Sequence, residues 1–172
     1  MIPSPSFTNI QSYAVNEFNA LRIRALRDSW IAKVFRKDNN AKSFSENSSA
    51  NLQNKRYTGI HNIKVDRIVG TFGRKDDFDK NFRPLKKHLC NRWVNALLRL
   101  DTDGWSPIVL HKVDESYYVE DGHHRVSVAR SVGMIFIEAE VWEHSFQPVH
   151  LGTCHPRRRL VSRSAEVFSV ES

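Results

Sequence analysis

Five consecutive residues, Asp121-Gly122-His123-His124-Arg125, place a carboxylate, a glycine, two imidazoles and a guanidinium at one point of the chain. They follow the run Tyr117-Tyr118-Val119-Glu120 and precede Val126-Ser127-Val128-Ala129-Arg130, so an apolar strand passes through a glycine turn into a helix start. The first turn of a helix leaves N–H groups outside its hydrogen-bond ladder, and the macrodipole adds roughly half a positive charge there. Such a junction favours an anion. Gly122 permits the sharp turn and a close backbone approach to a ligand. Arg125 offers a planar fork of donors matched to phosphate oxygens, and His123 and His124 bring imidazoles to the same mouth. Glu120 and Asp121 stand beside them as metal ligands or bases. Phosphate binding is the chemistry this combination predicts.

The elements that must hold this junction can be read from periodicity. Residues 1–10 contain two prolines and little pattern, a loose lead-in. A helix is predicted over 14–37, with two apolar stripes, Ala14, Phe18, Leu21, Ala25 and Ile23, Leu26, Trp30, Val34. It packs on the domain with its many cations in water; a nucleic acid or a partner is the alternative use of its basic side. Residues 38–56 are rich in Asn and Ser and read as a linker. Residues 60–70 read as one strand closed by Gly70, and 71–79 as a charged loop. Phe82, Leu85, Leu89, Trp93, Leu97 and Leu100 then recur at helical spacing, with Asn81 or Asp79 as cap and Pro84 in the first turn. Strands follow at 108–113 and 117–120, a short helix at 124–132 stopped by Gly133, and a last strand at 135–142. The fold class is therefore α+β or α/β: a small mixed sheet with packed helices and an added N-terminal helix. Three segments result: a basic helix and linker at 1–58, the sheet domain at 59–143, and a basic tail at 144–172.

The chain has 172 residues, 40% of them hydrophobic, which is enough for one domain with a core. Its formal charge of +7 lies at the ends: Lys and Arg against Asp and Glu count 9 to 4 over residues 1–58, 13 to 13 over 59–143, and 4 to 2 over 144–172. A neutral centre between basic arms suggests a polyanionic partner, most simply DNA or RNA. Arg22, Arg24 and Arg27 in the first arm, and Arg157-Arg158-Arg159 in the second, are the candidate contacts. No apolar run is long enough to cross a bilayer and the N-terminus lacks a basic region followed by an apolar one, so no membrane partner and a cytoplasmic location are expected. Cys90 and Cys154 lie far apart, and His150, Cys154 and His155 lack the paired spacing of a zinc site. Trp30, Trp93, Trp105 and Trp142 read as packing residues.

Over residues 60–143 the chain resembles the ParB/sulfiredoxin superfamily, specifically the ParB-like nuclease domain. The resemblance rests on Asp66-Arg67-Ile68 ending a first strand, the amphipathic helix, Gly104-Trp105-Ser106-Pro107-Ile108-Val109, and Asp121-Gly122-His123-His124-Arg125 followed by Val128-Ala129 and Gly133. It implies that the helix beginning at this glycine holds nucleotide phosphates. His123 occupies the place of the cysteine that sulfiredoxins use, which disfavours their chemistry. The glutamate and arginine pair of partitioning clamps is absent, and no helix-turn-helix segment follows the domain in this sequence. Similarity then remains to free-standing members, among them amino-acid kinases and small plasmid-borne proteins with ATPase and DNase activity that interfere with DNA transfer.

On that resemblance the expected function is a nucleotide-binding phosphohydrolase, ATPase or DNase, that engages DNA through its basic ends. Gly122, His123, His124 and Arg125 would hold the phosphates of ATP or another nucleoside triphosphate. Asp121, with Asp77 or Asp79, would hold Mg²⁺. His123 or His124 would orient or deprotonate water, and Arg74 would offset charge in the transition state. The alternatives are a small-molecule kinase using the same pocket, and a non-catalytic module whose DNA- or protein-binding surface is switched by nucleotide.

Overall fold

The computed structural model describes residues 7–36, 39, 41–44, 52–72 and 76–146, and within them the alternating stretches Ile108–Val113 (β4) and Ser116–Asp121 (β5) form the antiparallel centre of a six-stranded sheet. The other strands are β1 (Lys42–Phe44), β2 (Leu52–Lys64), β3 (Ile68–Phe72) and β6 (Phe136–Phe146). Their order is β1-β3-β5-β4-β6-β2, with β1–β3, β3–β5 and β4–β6 parallel and β2–β6 antiparallel. With helices α1 (Phe7–Val34), α2 (Cys90–Thr102) and α3 (His123–Ser131), the protein is of the α+β class, with a mixed sheet and an N-terminal helix. No helix among the described residues is long and apolar enough to cross a membrane.

Helix α3 explains how the layers join. Val126, Ser127, Val128 and Ala129 are all buried, so this helix has no solvent face along its middle. Val126 and Ala129 pack with Ile68, Leu110, Val119 and Ile137 against the sheet, whereas Val128 packs with Phe18, Trp93 and Val94 of α1 and α2. The indole N–H of the fully buried Trp93 donates to Ser127 Oγ at 2.9 Å. α3 therefore lies between the sheet and the α1–α2 pair, and Trp93 is core as its spacing predicts.

Several boundaries differ from the sequence reading for local reasons. α1 starts at Phe7, inside the segment expected to be loose, and ends at Val34. Part of the expected linker is structured, since β1 adds to the sheet edge beside β3 and β2 begins at Leu52. The strand expected over 60–70 is two strands separated by a short turn at Val65–Arg67, which crosses the sheet from one edge region to the other. That turn contains neither Gly nor Pro; Arg130 of α3 donates to the carbonyls of Val65 (3.2 Å) and Ile68 (2.6 Å), and Ile135 O accepts from Val65 N–H (3.0 Å). Burial lowers the pKa of this Arg130 guanidinium.

The helix expected from Phe82 begins at Cys90 behind a one-turn segment at Lys87–Leu89. Asp79 Oδ1 accepts from the N–H groups of Asn81 (3.0 Å) and Arg83 (2.8 Å), Phe82 takes a positive φ of 58°, and Pro84 bridges to Phe78. A tight carboxylate-capped loop thus replaces the first helical turn, and Phe82 reaches the core from it. At the other end β6 runs past residue 143, and His144 is buried, its Nε2 2.6 Å from His111 Nδ1.

Candidate functional site

The cavity at the start of α3 has a volume of about 430 Å³ and opens between α2, residues 104–106 and the end of β5. Gly122 makes the junction geometrically possible. Its φ is 97°, and a Cβ built there would lie 2.4 Å from Ile108 Cγ2, so both the left-handed conformation and the close approach require glycine. The helical ladder opens with Val126 N–H donating to Gly122 C=O at 3.0 Å, which leaves the preceding N–H groups as the electropositive end of the helix.

Asp121, Gly122, His123, His124 and Arg125 all contribute to the cavity wall, as expected for one strand-to-helix junction. Their side chains have separate tasks. Arg125 is a brace: its Nη1 donates to Ser106 O (2.6 Å) and Oγ (3.0 Å), and its Nη2 pairs with Asp121 Oδ2 at 2.6 Å. The fork expected to face phosphate thus spends four of its contacts, counting Pro107 O at 3.3 Å, on fixing the opposite wall and the end of β5. His123 is 6% exposed and its Nε2 lies 2.7 Å from Thr71 Oγ1, with the ring stacked near Phe78. Its imidazole belongs to the packing between β3 and α3. His124, half-buried and edge-on to Phe78, is the imidazole at the mouth.

Glu120 projects to the opposite face of the sheet, as alternation along a strand demands. There its Oε2 meets His111 Nε2 at 2.5 Å, so it is no neighbour of the cavity. The carboxylates expected to join Asp121 around Mg²⁺ are also elsewhere. Asp79 is fully buried and saturated by Arg83, whose Nε and Nη2 reach Oδ2 at 2.8 and 2.6 Å. Asp77 holds Lys86 Nζ at 2.8 Å, raising the lysine pKa. Neither lines the cavity, and among the described residues no group of three or more His, Cys, Asp or Glu is placed to hold a metal ion. Asp77 and Asp79 thus stand apart from Asp121, the carboxylate they were expected to join around Mg²⁺. Charge on both aspartates is instead consumed in shaping the loop before α2. Arg74 and Arg157-Arg158-Arg159 lie outside the described residues.

Helix α2 supplies residues that the motif alone does not indicate. Arg92, Asn95 and Arg99 line the cavity from one flank of this helix, and among the described residues neither arginine is in an ion pair. Spacings of three and four residues put them on one side. That signal was present in the sequence, overshadowed by the apolar stripe of the same helix. The three arginines of α1, by contrast, do not share a face: Arg22 turns inward to donate to Leu85 O at 3.2 Å, Arg27 pairs with Asp28 at 3.2 Å, and Arg24 is exposed.

No family model and no curated protein matches this chain. Among solved structures, sulfiredoxin from Arabidopsis thaliana is similar at 18% identity, covering 48% of this chain and 82% of that one with a TM-score of 0.33.

Proposed function

We propose that the chain is a nucleotide-binding phosphohydrolase whose ligand places its phosphates between α2 and the start of α3. The observation that carries this reading is the convergence of Arg92 and Arg99 with the α3 N-terminus on one open cavity. Two guanidiniums that make no ion pair among the described residues, set opposite a helix dipole, form a wall for a multiply charged anion larger than a single phosphate. Asn95 and Ser106 add neutral donors and acceptors at the same rim. Asp121, with its side chain 72% exposed, and His124 are the groups on that wall able to accept a proton from an attacking water. Arg125 acts as a positioning residue, holding residues 106–107 against the β5 end. A phosphodiester meets the same donors, which makes DNA a substrate to compare with free nucleotides.

The test is titration of ATP, CTP and GTP into the wild type and the Arg92→Ala/Arg99→Ala variant, with phosphate release and DNA integrity followed in parallel. A charge-assisted hydrogen bond contributes about 1.5–3 kcal/mol, so the double variant should bind at least about tenfold more weakly with an unchanged Tm. Equal affinity in a folded double variant would overturn the assignment. A second reading, nucleotide binding without turnover, is favoured by the engagement of Asp77 and Asp79 away from the cavity. Binding that Arg92→Ala/Arg99→Ala abolishes, with no phosphate released by wild type, is its signature.

A further inference from the structure

A second cavity, of about 510 Å³, opens between α1, the turn at Val65–Arg67 and the C-terminal end of α3. Helix α3 is nine residues long, so about 13 Å of helix separates this end from the one at the phosphate site. Asp66 and Arg130 both line the second cavity. Neither is in an ion pair among the described residues, and they do not pair with each other. Arg130 spends its Nη2 on the carbonyls of Val65 and Ile68, and its Nη1 makes only a long contact of 3.4 Å to Lys80 O. Burial lowers the Arg130 pKa, and Asp79 and Asp66 oppose that shift, which puts Asp66 within electrostatic reach of the guanidinium. Arg83, on the same wall, is already bound to Asp28 and Asp79. Ser127 and Ser131, four residues apart on one side of α3, also line the cavity. Ser127, 2% exposed, accepts the Trp93 N–H, so its own O–H is left to donate. Ser131 Oγ donates to Val128 O at 2.8 Å, so its lone pairs are left to accept.

We propose that this cavity binds a small zwitterion, a free amino acid with an apolar side chain, its carboxylate on Arg130 and its ammonium on Asp66. Charge makes the selection. On the wall and directly behind it stand two guanidiniums, Arg83 and Arg130, against three carboxylates, Asp28, Asp66 and Asp79. The negative end of the α3 dipole adds to that surplus. A phosphate dianion meets the surplus as repulsion. A simple cation leaves Arg130 without an acceptor, and a simple carboxylate leaves Asp66 unmatched. A molecule carrying both charges answers both, with one serine to donate and one to accept. Leu21, Val65 and Met134 supply an apolar side for its substituent. The ligand touches α1 and α3 at once, so its binding raises the Tm.

The experiment titrates leucine, valine and methionine into the full chain by isothermal calorimetry, beside the amide of each, which lacks the carboxylate, and the desamino acid of each, which lacks the ammonium. At least one of the three amino acids should bind saturably and raise the Tm, with its two analogues at least about tenfold weaker. Asp66→Asn, at an exposed position, should weaken binding by a similar factor with unchanged circular dichroism. Arg92→Ala/Arg99→Ala should leave it unchanged, and inorganic phosphate should not compete. Absence of saturable binding by all three at concentrations up to about 10 mM would overturn the proposal. So would equal binding of an amide or desamino analogue, displacement by phosphate, or affinity indifferent to Asp66→Asn. Binding lost in a folded Arg92→Ala/Arg99→Ala variant would overturn it in favour of the phosphate cavity.

Discussion

Gly122 shows how one position joins geometry to chemistry. Its left-handed φ and the proximity of Ile108 Cγ2 leave no room for a side chain. Gly122→Ala is expected to lose about 1–3 kcal/mol to backbone strain, with the clash added, and to deform the cavity wall. Thermal unfolding and nucleotide titration on the same preparation check this: a lowered Tm with weakened binding is expected, and an unchanged Tm would contradict the strain. The neighbouring His123 carries the opposite lesson. Its type and place suggested a catalytic imidazole, but the hydrogen bond to Thr71 and its burial assign the ring to packing. Adjacent residues on a helix point about 100° apart, so the rings of His123 and His124 leave the same wall in different directions. The identity of the motif was legible in the sequence; which imidazole faces outward required the helix phase relative to β3.

At the scale of elements, α1 is fastened to the loop before α2 by polar contacts as well as by its apolar stripe. Arg83 bridges Asp28 of α1 and the buried Asp79, Arg22 donates to Leu85 O, and Asn39 Nδ2 reaches Ser29 Oγ at 3.1 Å. The hydrogen bond from Arg83 is the largest influence on Asp28 and holds its carboxyl below the ordinary value of 3.8. A carboxylate with a depressed folded-state pKa adds stability above its unfolded pKa, and that contribution is lost as pH falls through the folded value. Asp28→Asn should therefore lower the Tm modestly at neutral pH, by a few degrees at most for so exposed a group. The difference from wild type should be constant down to about pH 4 and vanish in more acidic solution. A difference that grows on acidification would refute the Asp28–Arg83 contribution. None of these pairings was readable beforehand, because Asp28 and Arg83 are separated by 55 positions in the chain.

For the molecule as a whole, the buried position of α3 links the two core clusters. Val126 and Ala129 serve the sheet, Val128 serves the α1–α2 layer, and Trp93 bonds to Ser127 between them. Neither cluster can lose α3 without exposing the apolar surface of the other. The described core, from α1 to β6, should unfold in one cooperative transition. Far-ultraviolet circular dichroism and tryptophan fluorescence are expected to give the same midpoint in urea. An earlier fluorescence or helical transition would mean that α1 and α2 form a separate unit. α1 contributes Phe18 directly to the cluster containing Trp93, which is the contact this prediction rests on.

By itself the sequence determined the strand-to-helix junction at Gly122, the central strands, the last helix with its stop at Gly133, and the electropositive character of the site. Those features are local, encoded in alternation, in helical spacing and in the special backbone of glycine. Only the tertiary structure decided that residues 60–70 divide into two strands, because the turn is held by Arg130 from a helix more than sixty residues away. It also turned Asp77 and Asp79 from candidate metal ligands into ion-pair partners, and drew Arg92 and Arg99 into the cavity wall. The physical reason is common to all three: a charged side chain takes its role from the oppositely charged group or cavity that folding brings within a few ångströms, and sequence spacing records that distance only within a single element.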